Sequence, residues 1–254
     1  MTNDAGGASG LPHIIAFSPV RQPPQVLELF LKHLRMQDVE TWVYDDNTDP
    51  DSSAMLRGFG LTLLPQIEAL PDSHHDRGEY THTWDGPTVR RVAAIKNLAI
   101  DRFLNSRAAA LFLIDSDVLV PPGLVEHLAS SAVPVIASVY WTRWRPEMPE
   151  MANVFGTITS HDFLRDPDHH HHLVPGLGAC TLIRRGVFEA GVRFAEQSHM
   201  VTEGEDRWFC YLAARRGIPL TACTHLEPFH IYRDSQLPQA RVWSDANSRP
   251  PLLV

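Results

Sequence analysis

"LFLIDSDVLVPPG", residues 111–123, ends an apolar run with two aspartates one residue apart, Asp115 and Asp117. Carboxylates are costly to take out of water unless they are paired. A buried strand that ends in them therefore places them at a solvated strand end or around a cation. Ser116, between them, is small enough to let backbone approach a ligand closely. A strand followed by a polar turn explains this stretch. So does a metal–diphosphate site at the carboxyl end of a parallel strand.

The flanking sequence alternates strand and helix patterns. "HIIAFS" (13–18) is a short apolar run closed by Pro19, and "PPQVLELFLKHLR" (23–35) follows with apolar residues at helical spacing behind two prolines. "ETWVYDDNTDPDSS" (40–53) reads as a strand over Thr41 to Tyr44 ending in a polar turn. "TVRRVAAIKNLAIDRFLNS" (88–106) is the strongest helix pattern, with Val92, Ile95, Ala99 and Phe103 on one side. It leads into the strand "AAALFLID", the helix "PPGLVEHLASS" and the strand "VPVIASVYW". Such alternation predicts a parallel sheet. Residues 65–88 lack periodicity and read as a mobile loop. Beyond Trp141 the chain turns polar and rich in Pro and His, and "EDRWFCYLAARRG" (205–217) reads as the last ordered helix.

With 254 residues and 44% hydrophobic content, the chain is long and apolar enough for one large α/β domain or two small ones. A formal net charge of −8 argues against non-specific nucleic-acid binding and against adhesion to anionic membranes. The three cysteines, Cys180, Cys210 and Cys223, are few, odd in number and without metal-ligand spacing, which fits a reducing compartment. The amino-terminal residues carry no secretory pattern, and no apolar run is long enough to span a bilayer. The expectation is a soluble cytoplasmic protein with a short disordered leader. The run His169–His172 reads as an exposed loop, with no acidic or cysteine partner at ligand spacing beside it.

In open α/β sheets, ligands bind outside the carboxyl ends of the strands. Three such ends here are Ser18-Pro19-Val20, Asp45-Asp46-Asn47 and Asp115-Ser116-Asp117. Together with "IKNLAIDRFLNSRAAALFLIDSDVLVPPGLVEHL", "GLGACTLIRRGVF" (176–188), "GEDRWFCYLAARRGIPL" (204–220) and "EPFHIY" (227–232), they resemble the GT-A-fold glycosyltransferases of the family-2-like group, in that family's order across most of residues 13–232.

The resemblance implies a Rossmann-like GT-A fold with a mostly parallel central sheet flanked by helices and a smaller acceptor-side region. It implies one domain over 13–235, with a nucleotide-sugar half (13–140) and an acceptor half (141–235), then a tail over 236–254. It implies transfer from a nucleoside-diphosphate sugar, UDP favoured, to an acceptor hydroxyl with inversion. Ser18, Pro19, Val20, Asp45, Asp46, Lys96, Asp115, Ser116 and Gly178 would meet the donor. Asp117 and His230 would hold Mn²⁺ or Mg²⁺, with His225 the rival to His230 though it fits the pattern less well before Pro228, and Asp206, supported by Glu205, would be the general base. Lys96 reads equally as a solvated helix lysine, and Glu205 and Asp206 as helix-capping carboxylates. "YWTRW" (140–144) offers aromatic rings for a sugar or for the core. Phosphoryl transfer of the haloacid-dehalogenase kind and a non-catalytic nucleotide-sugar-binding protein are the competing functions.

Overall fold

The computed structural model describes residues 12–73, 76–83, 85–156, 161–195 and 204–248. The expected leader lies outside these residues apart from Pro12.

Strand β1 (Ile14–Val20) is almost wholly buried. Pro19 is tolerated near its end because its nitrogen faces β6 beyond the last paired residue, Phe17. Helix α1 (Pro24–Arg35) buries Val26, Leu27, Phe30, Leu31 and Leu34, as its apolar spacing predicts. After β2 (Glu40–Asp45), helix α2 (Pro50–Gly58) is capped by Asp49, whose side chain accepts from the Asp51 and Ser52 amides. Three short strands follow: β3 (Thr62–Leu63), β4 (Asp76–Arg77) and β5 (His82–Thr83). Helix α3 (Gly86–Leu104) is capped by Asp85 and buries Val89, Ala93, Lys96, Ile100 and Phe103 on one face.

The opening stretch becomes β6 (Ala110–Leu113), a turn through Ser116-Asp117 closed by the Val118 amide donating to the Asp115 carbonyl, and β7 (Val118–Leu119). Gly123, at φ 77°, starts α4 (Leu124–Ser130) in a left-handed conformation that glycine adopts without a Cβ penalty. Next come β8 (Val135–Ser138), β9 (Trp141–Thr142), β10 (Met151–Ala152), β11 (His171–Leu173) and β12 (Thr181–Arg184). The chain closes with α5 (Arg185–Glu189), α6 (Glu205–Arg215), β13 (Leu220–Cys223), β14 (Phe229–His230) and α7 (Leu237–Ala246).

The main sheet has the order β11-β13-β8-β12-β6-β1-β2-β3. All its pairings are parallel except those of β12 and of the edge strand β11. One apolar cluster packs α3, α5 and α6 on one face, and a second packs α1, α4 and α7 on the other. This is the expected helix-flanked, mostly parallel α/β architecture.

Three expectations need correction. The segment read as a mobile loop carries the β4–β5 hairpin, and it is tied down from the far end of the chain. The Tyr232 hydroxyl accepts from the His82 amide at 2.9 Å, and Arg233 donates to the carbonyls of Glu79, Tyr80, Arg143 and Trp144. The residues read as a C-terminal tail include α7, which packs on α1. The histidine run is not a plain loop, because His171 and His172 form part of β11 at the sheet edge.

The contact of α7 with α1 centres on His33, which is fully buried. His33 Nδ1 donates to the Val120 carbonyl at 3.1 Å, leaving Nε2 to accept from the Ser244 hydroxyl at 2.8 Å. Burial pushes the imidazole down from 6.5 to about 4. As pH falls from 6.5 towards 4, the unfolded chain takes up a proton that the folded chain refuses. Stability therefore declines across that window, by about 3 kcal/mol in total. Denaturant titrations of His33→Gln should show a flatter stability–pH curve between pH 6.5 and 4 than wild type. An unchanged slope would remove His33 as its source.

Candidate active site

A cleft of about 520 Å³ opens at the carboxyl ends of the parallel strands, lined by Pro19, Asp46, Asp115, Ser116, Asp117, Gly178, Glu205, Asp206 and His230 among others. Nine of the residues singled out in the sequence thus meet in one place. Ser18 and Val20 are fully buried in β1 and do not line it. Asp45 turns aside to accept from the Asn47 amide and the Ser53 hydroxyl. Asp46 faces the cleft with both oxygens held by Arg91, and Arg21 stands 3.8 Å away.

Asp117 and His230 are brought together by a two-stranded ribbon. β7 pairs antiparallel with β14, setting His230 opposite Val118, and the Ile231 amide donates to the Asp117 carbonyl at 2.8 Å. His230 Nε2 lies 3.5 Å from Asp117 Oδ1. Its Nδ1 is 2.7 Å from the Thr142 hydroxyl, and its ring meets Tyr140 edge-on. Fixing one imidazole nitrogen orients the other, as metal-ligating histidines require. A carboxylate and an oriented imidazole on the cleft wall fit Mn²⁺ better than Mg²⁺, since imidazole is a poor magnesium ligand.

Lys96 does not line the cleft. It sits on the buried face of α3, where Nζ donates to Glu205 Oε1 at 2.6 Å and to Asp206 Oδ1 at 2.9 Å. Its role here is to hold the carboxylates from behind. Burial alone would lower the ammonium, but Asp206, Glu205 and Asp115 outweigh that and hold it well above the usual lysine range. Burial pushes Asp206 up to about 6 against the pull of Lys96. Burial likewise pushes Asp115 up to about 7, with Lys96 opposing and Asp206 and Asp117 adding to the rise.

Glu205 and Asp206 open α6 without capping it: the N-cap is Gly204, with no side-chain cap bond. Gly204 has φ 122°, a value that demands glycine. The capping explanation for the two acids therefore fails, and their hydrogen bonds go to Lys96.

Several lining residues were not singled out in the sequence. Arg91 and Arg21 hold Asp46, and Arg207 packs over Phe155 with its guanidinium carbon 4.5 Å from the ring centroid. Thr142, buried behind the lining, orients His230. Asn153 fixes the wall opposite, donating to the Ser138 and Ala179 carbonyls and accepting from the Tyr140 amide. Arg91 lies in α3, with α2 and three short strands between it and the acidic strand end, so sequence spacing carries no signal of its contact with Asp46. Within "YWTRW", Tyr140 is mostly core, whereas Trp144 is exposed at the cleft and meets Tyr232 edge-on.

No protein-family model matches this chain. No curated protein matches it in sequence either. Solved structures do match its fold. The mannosyltransferase PcManGT from Pyrobaculum calidifontis, solved with GDP-Man and Mn²⁺, aligns with a TM-score of 0.56 at 16% identity over 94% of this chain and 64% of that one. GalNAc-T7, solved with UDP, GalNAc and Mn²⁺, aligns with a TM-score of 0.54 at 14% identity over 89% of this chain and 45% of that one. The inositol-1-phosphate CTP transferase from T. maritima aligns with a TM-score of 0.50 at 9% identity over 96% and 99% of the two chains. The chain thus spans less than two thirds of the two glycosyltransferases. Its fold is GT-A-like, the fold of nucleotide-diphospho-sugar and nucleotidyl transferases. Among the described residues, no helix is long and apolar enough to cross a membrane.

Removing the Lys96 charge leaves Glu205, Asp206 and Asp115 facing one another without their cation. Lys96→Met should destabilise the fold by about 3–5 kcal/mol at pH 8, the cost of breaking a buried ion pair. The loss should shrink at pH 6, where the carboxylates can take up protons. Urea unfolding at the two pH values checks this, and an equal, small loss at both would mean that Lys96 is only a packing residue.

Proposed function

We propose that the protein is a metal-dependent glycosyltransferase that moves a sugar from a nucleoside-diphosphate sugar to an acceptor hydroxyl. The observation that carries this reading is the convergence on one cleft of two separate devices. One is the Asp117–His230 pair, suited to a hard cation. The other is Asp206, a quarter-exposed carboxylate backed by Lys96. The glycosyltransferases that share the fold were solved with Mn²⁺ and a nucleotide or nucleotide sugar, which supports the choice of donor.

In this reading Asp117 and His230 would hold Mn²⁺ or Mg²⁺, and the bound ion would supply positive charge against the donor's diphosphate. Asp46, clamped by Arg91 and Arg21, presents carboxylate edges to the base or ribose, and Pro19 and Ser116 leave room for backbone approach. Gly178 leaves space beside Asp206: a Cβ there would stand 4.0 Å from Asp206 Oδ2. Asp206 takes the proton from the acceptor hydroxyl as its oxygen attacks the sugar carbon. The bond from that carbon to the diphosphate breaks, and the nucleoside diphosphate leaves with the electron pair. Attack from the side opposite the diphosphate inverts the carbon. Glu205 shares Lys96 with Asp206 and thereby fixes the orientation of the base. UDP is the favoured carrier, and the acceptor is a small molecule, glycan or peptide.

Nucleotidyl transfer is the second reading, favoured by the likeness that spans nearly the whole CTP transferase. The products separate the two: a nucleoside diphosphate in the first, pyrophosphate in the second. Donor binding without turnover over a broad acceptor panel would leave a binding protein.

Chelation by EDTA should abolish transfer and Mn²⁺ should restore it. Asp117→Ala should weaken donor and Mn²⁺ binding together in calorimetry. Donor affinity equal to wild type in that variant would displace the proposed metal site.

Asp206→Asn should leave donor affinity nearly intact and cut kcat by roughly 10²- to 10⁴-fold, the usual contribution of a positioned base. Since Asp206 must be ionised to act, wild-type kcat/KM should fall about tenfold per pH unit below pH 6 and level off above it. That acid limb should vanish in Asp206→Asn. Glu205→Gln should lose less. A near-normal kcat for Asp206→Asn in stopped assays would place the base elsewhere.

A further inference from the structure

A second cluster of ligand-type side chains lies outside the cleft, at the β11–β13 edge of the sheet. One nitrogen each of His127 and His171 and the sulfur of Cys223 all lie within 4.8 Å of one another. Cys223 Sγ is 3.5 Å from His127 Nε2. Two more imidazoles crowd the same spot. The His225 ring stacks on His127 at 4.4 Å and 16°, and His170 meets His225 edge-on at 5.1 Å. None of these five residues lines the cleft.

The fold explains the meeting. His171 and Cys223 are register partners in the antiparallel β11–β13 pair, so their side chains share one face of the sheet. Helix α4 packs on that face and presents His127 from its last turn. His127 and Cys223 are 96 residues apart in sequence, which is why no ligand spacing is visible there.

The chemistry of the set is selective. Burial holds His127 below the usual histidine range, and the neighbouring His225, His171 and His170 push it the same way. Neutral imidazole and thiolate are the donors of borderline-soft cations, whereas Mg²⁺ and Mn²⁺ prefer oxygen. Donor atoms on one zinc ion, at about 2.3 Å for sulfur and about 2.0–2.1 Å for nitrogen, lie roughly 3.3–3.6 Å apart. The Cys223–His127 pair already has that spacing. His171 is exposed on the sheet edge, with its ligand atom within 4.8 Å of the other two.

We propose that His127, His171 and Cys223 form a second metal site, for Zn²⁺ or a cation of the same class, with His225 or a water in the fourth position. Binding deprotonates Cys223 and releases that proton to solvent. The bound ion would join β11, β13 and α4. It would also pin the start of the segment that runs from His225 to His230, whose Leu226 carbonyl accepts from the Ser138 hydroxyl. The proposal does not depend on the donor reading of the cleft.

The outer members of the histidine run supply the control, because they are engaged elsewhere. His169 Nδ1 pairs with Asp166 at 3.0 Å, and His172 Nε2 with the His169 carbonyl at 2.9 Å. The test uses the full chain without a histidine tag, stripped of metal and titrated with Zn²⁺ against a chromophoric chelator. One ion per chain should bind, and excess Mn²⁺ should not displace it. Cys223→Ser and His171→Ala should each lose more than the roughly 10- to 100-fold that removal of an outer-sphere partner costs. The His169→Ala/His172→Ala double variant should keep wild-type affinity. Co²⁺ in its place should give thiolate-to-metal charge-transfer absorption that Cys223→Ser abolishes. His171 is exposed, so its variant tests ligation even where Cys223→Ser fails to fold. Wild-type affinity in His171→Ala, absence of the thiolate band, or loss of binding in the double variant alone would each overturn the site. The last result would assign the binding to the exposed run.

Discussion

One buried ammonium holds the two halves of the candidate site together. Lys96 rises from the middle of α3, in the early part of the chain, and meets Glu205 and Asp206 at the start of α6, in the late part. A lysine amid Val89, Ala93, Ile100 and Phe103 has no water to turn to, so its partners are obligatory. They are also obliged to stay where they are. The same bonds fix the first turn of α6 and aim Asp206 at the cleft. The Phe194 ring, 5.0 Å from Nζ, closes the ammonium off from the other side. A stability device and a positioning device are here the same three side chains.

The opposite wall is built by backbone pairing. β7 and β14 are only two residues each, too short to matter as a sheet. Their value is registration: they fix His230 against Val118 and so beside Asp117. Beyond them Tyr232 and Arg233 fasten the β4–β5 hairpin and the residues after β9, which line the same cleft. The stretch from His230 to Arg233 thus joins β7, the aromatic wall and the hairpin in one pass. A cluster of four backbone carbonyls on one guanidinium is an ordering of loops that no helix or strand pattern encodes.

The fold was legible wherever burial was periodic. β1, α1, β2, α3, β6, α4 and β8 all follow from runs of apolar residues, since a single face or a whole strand faces the core. The acids at the strand ends were legible for the complementary reason, that charge interrupting such a run needs water or a partner. What escaped were contacts set by tertiary register. Arg91 on Asp46, Thr142 on His230, and Arg233 on four carbonyls join residues whose spacing carries no period. Lys96 was visible as a charge on a helix, but its direction was not: Ile95, Ala99 and Phe103 of the expected stripe are buried, and the buried face of α3 is wide enough to take in Lys96 as well. Helix α7 was missed because it buries only Ala240 and Ser244, too little apolar surface to stand out. The His127–His171–Cys223 cluster was invisible for the same reason as the ribbon: a cross-strand pairing and a helix packed over it create it.

The charge balance of the cleft explains why its proposed chemistry needs a cation at all. Asp115, Asp117, Glu205 and Asp206 converge there, and Lys96 answers only part of that charge from behind. Burial and mutual repulsion already push Asp115 and Asp206 towards protonation. A diphosphate entering such a site would add negative charge beside Asp117 and drive those groups further that way. A divalent ion held by Asp117 and His230 would add positive charge there and favour the ionised form of Asp115 and Asp206, the form in which a base accepts a proton. In the proposed reading the metal site and the base would be coupled through charge, with Lys96 holding Asp206 in place.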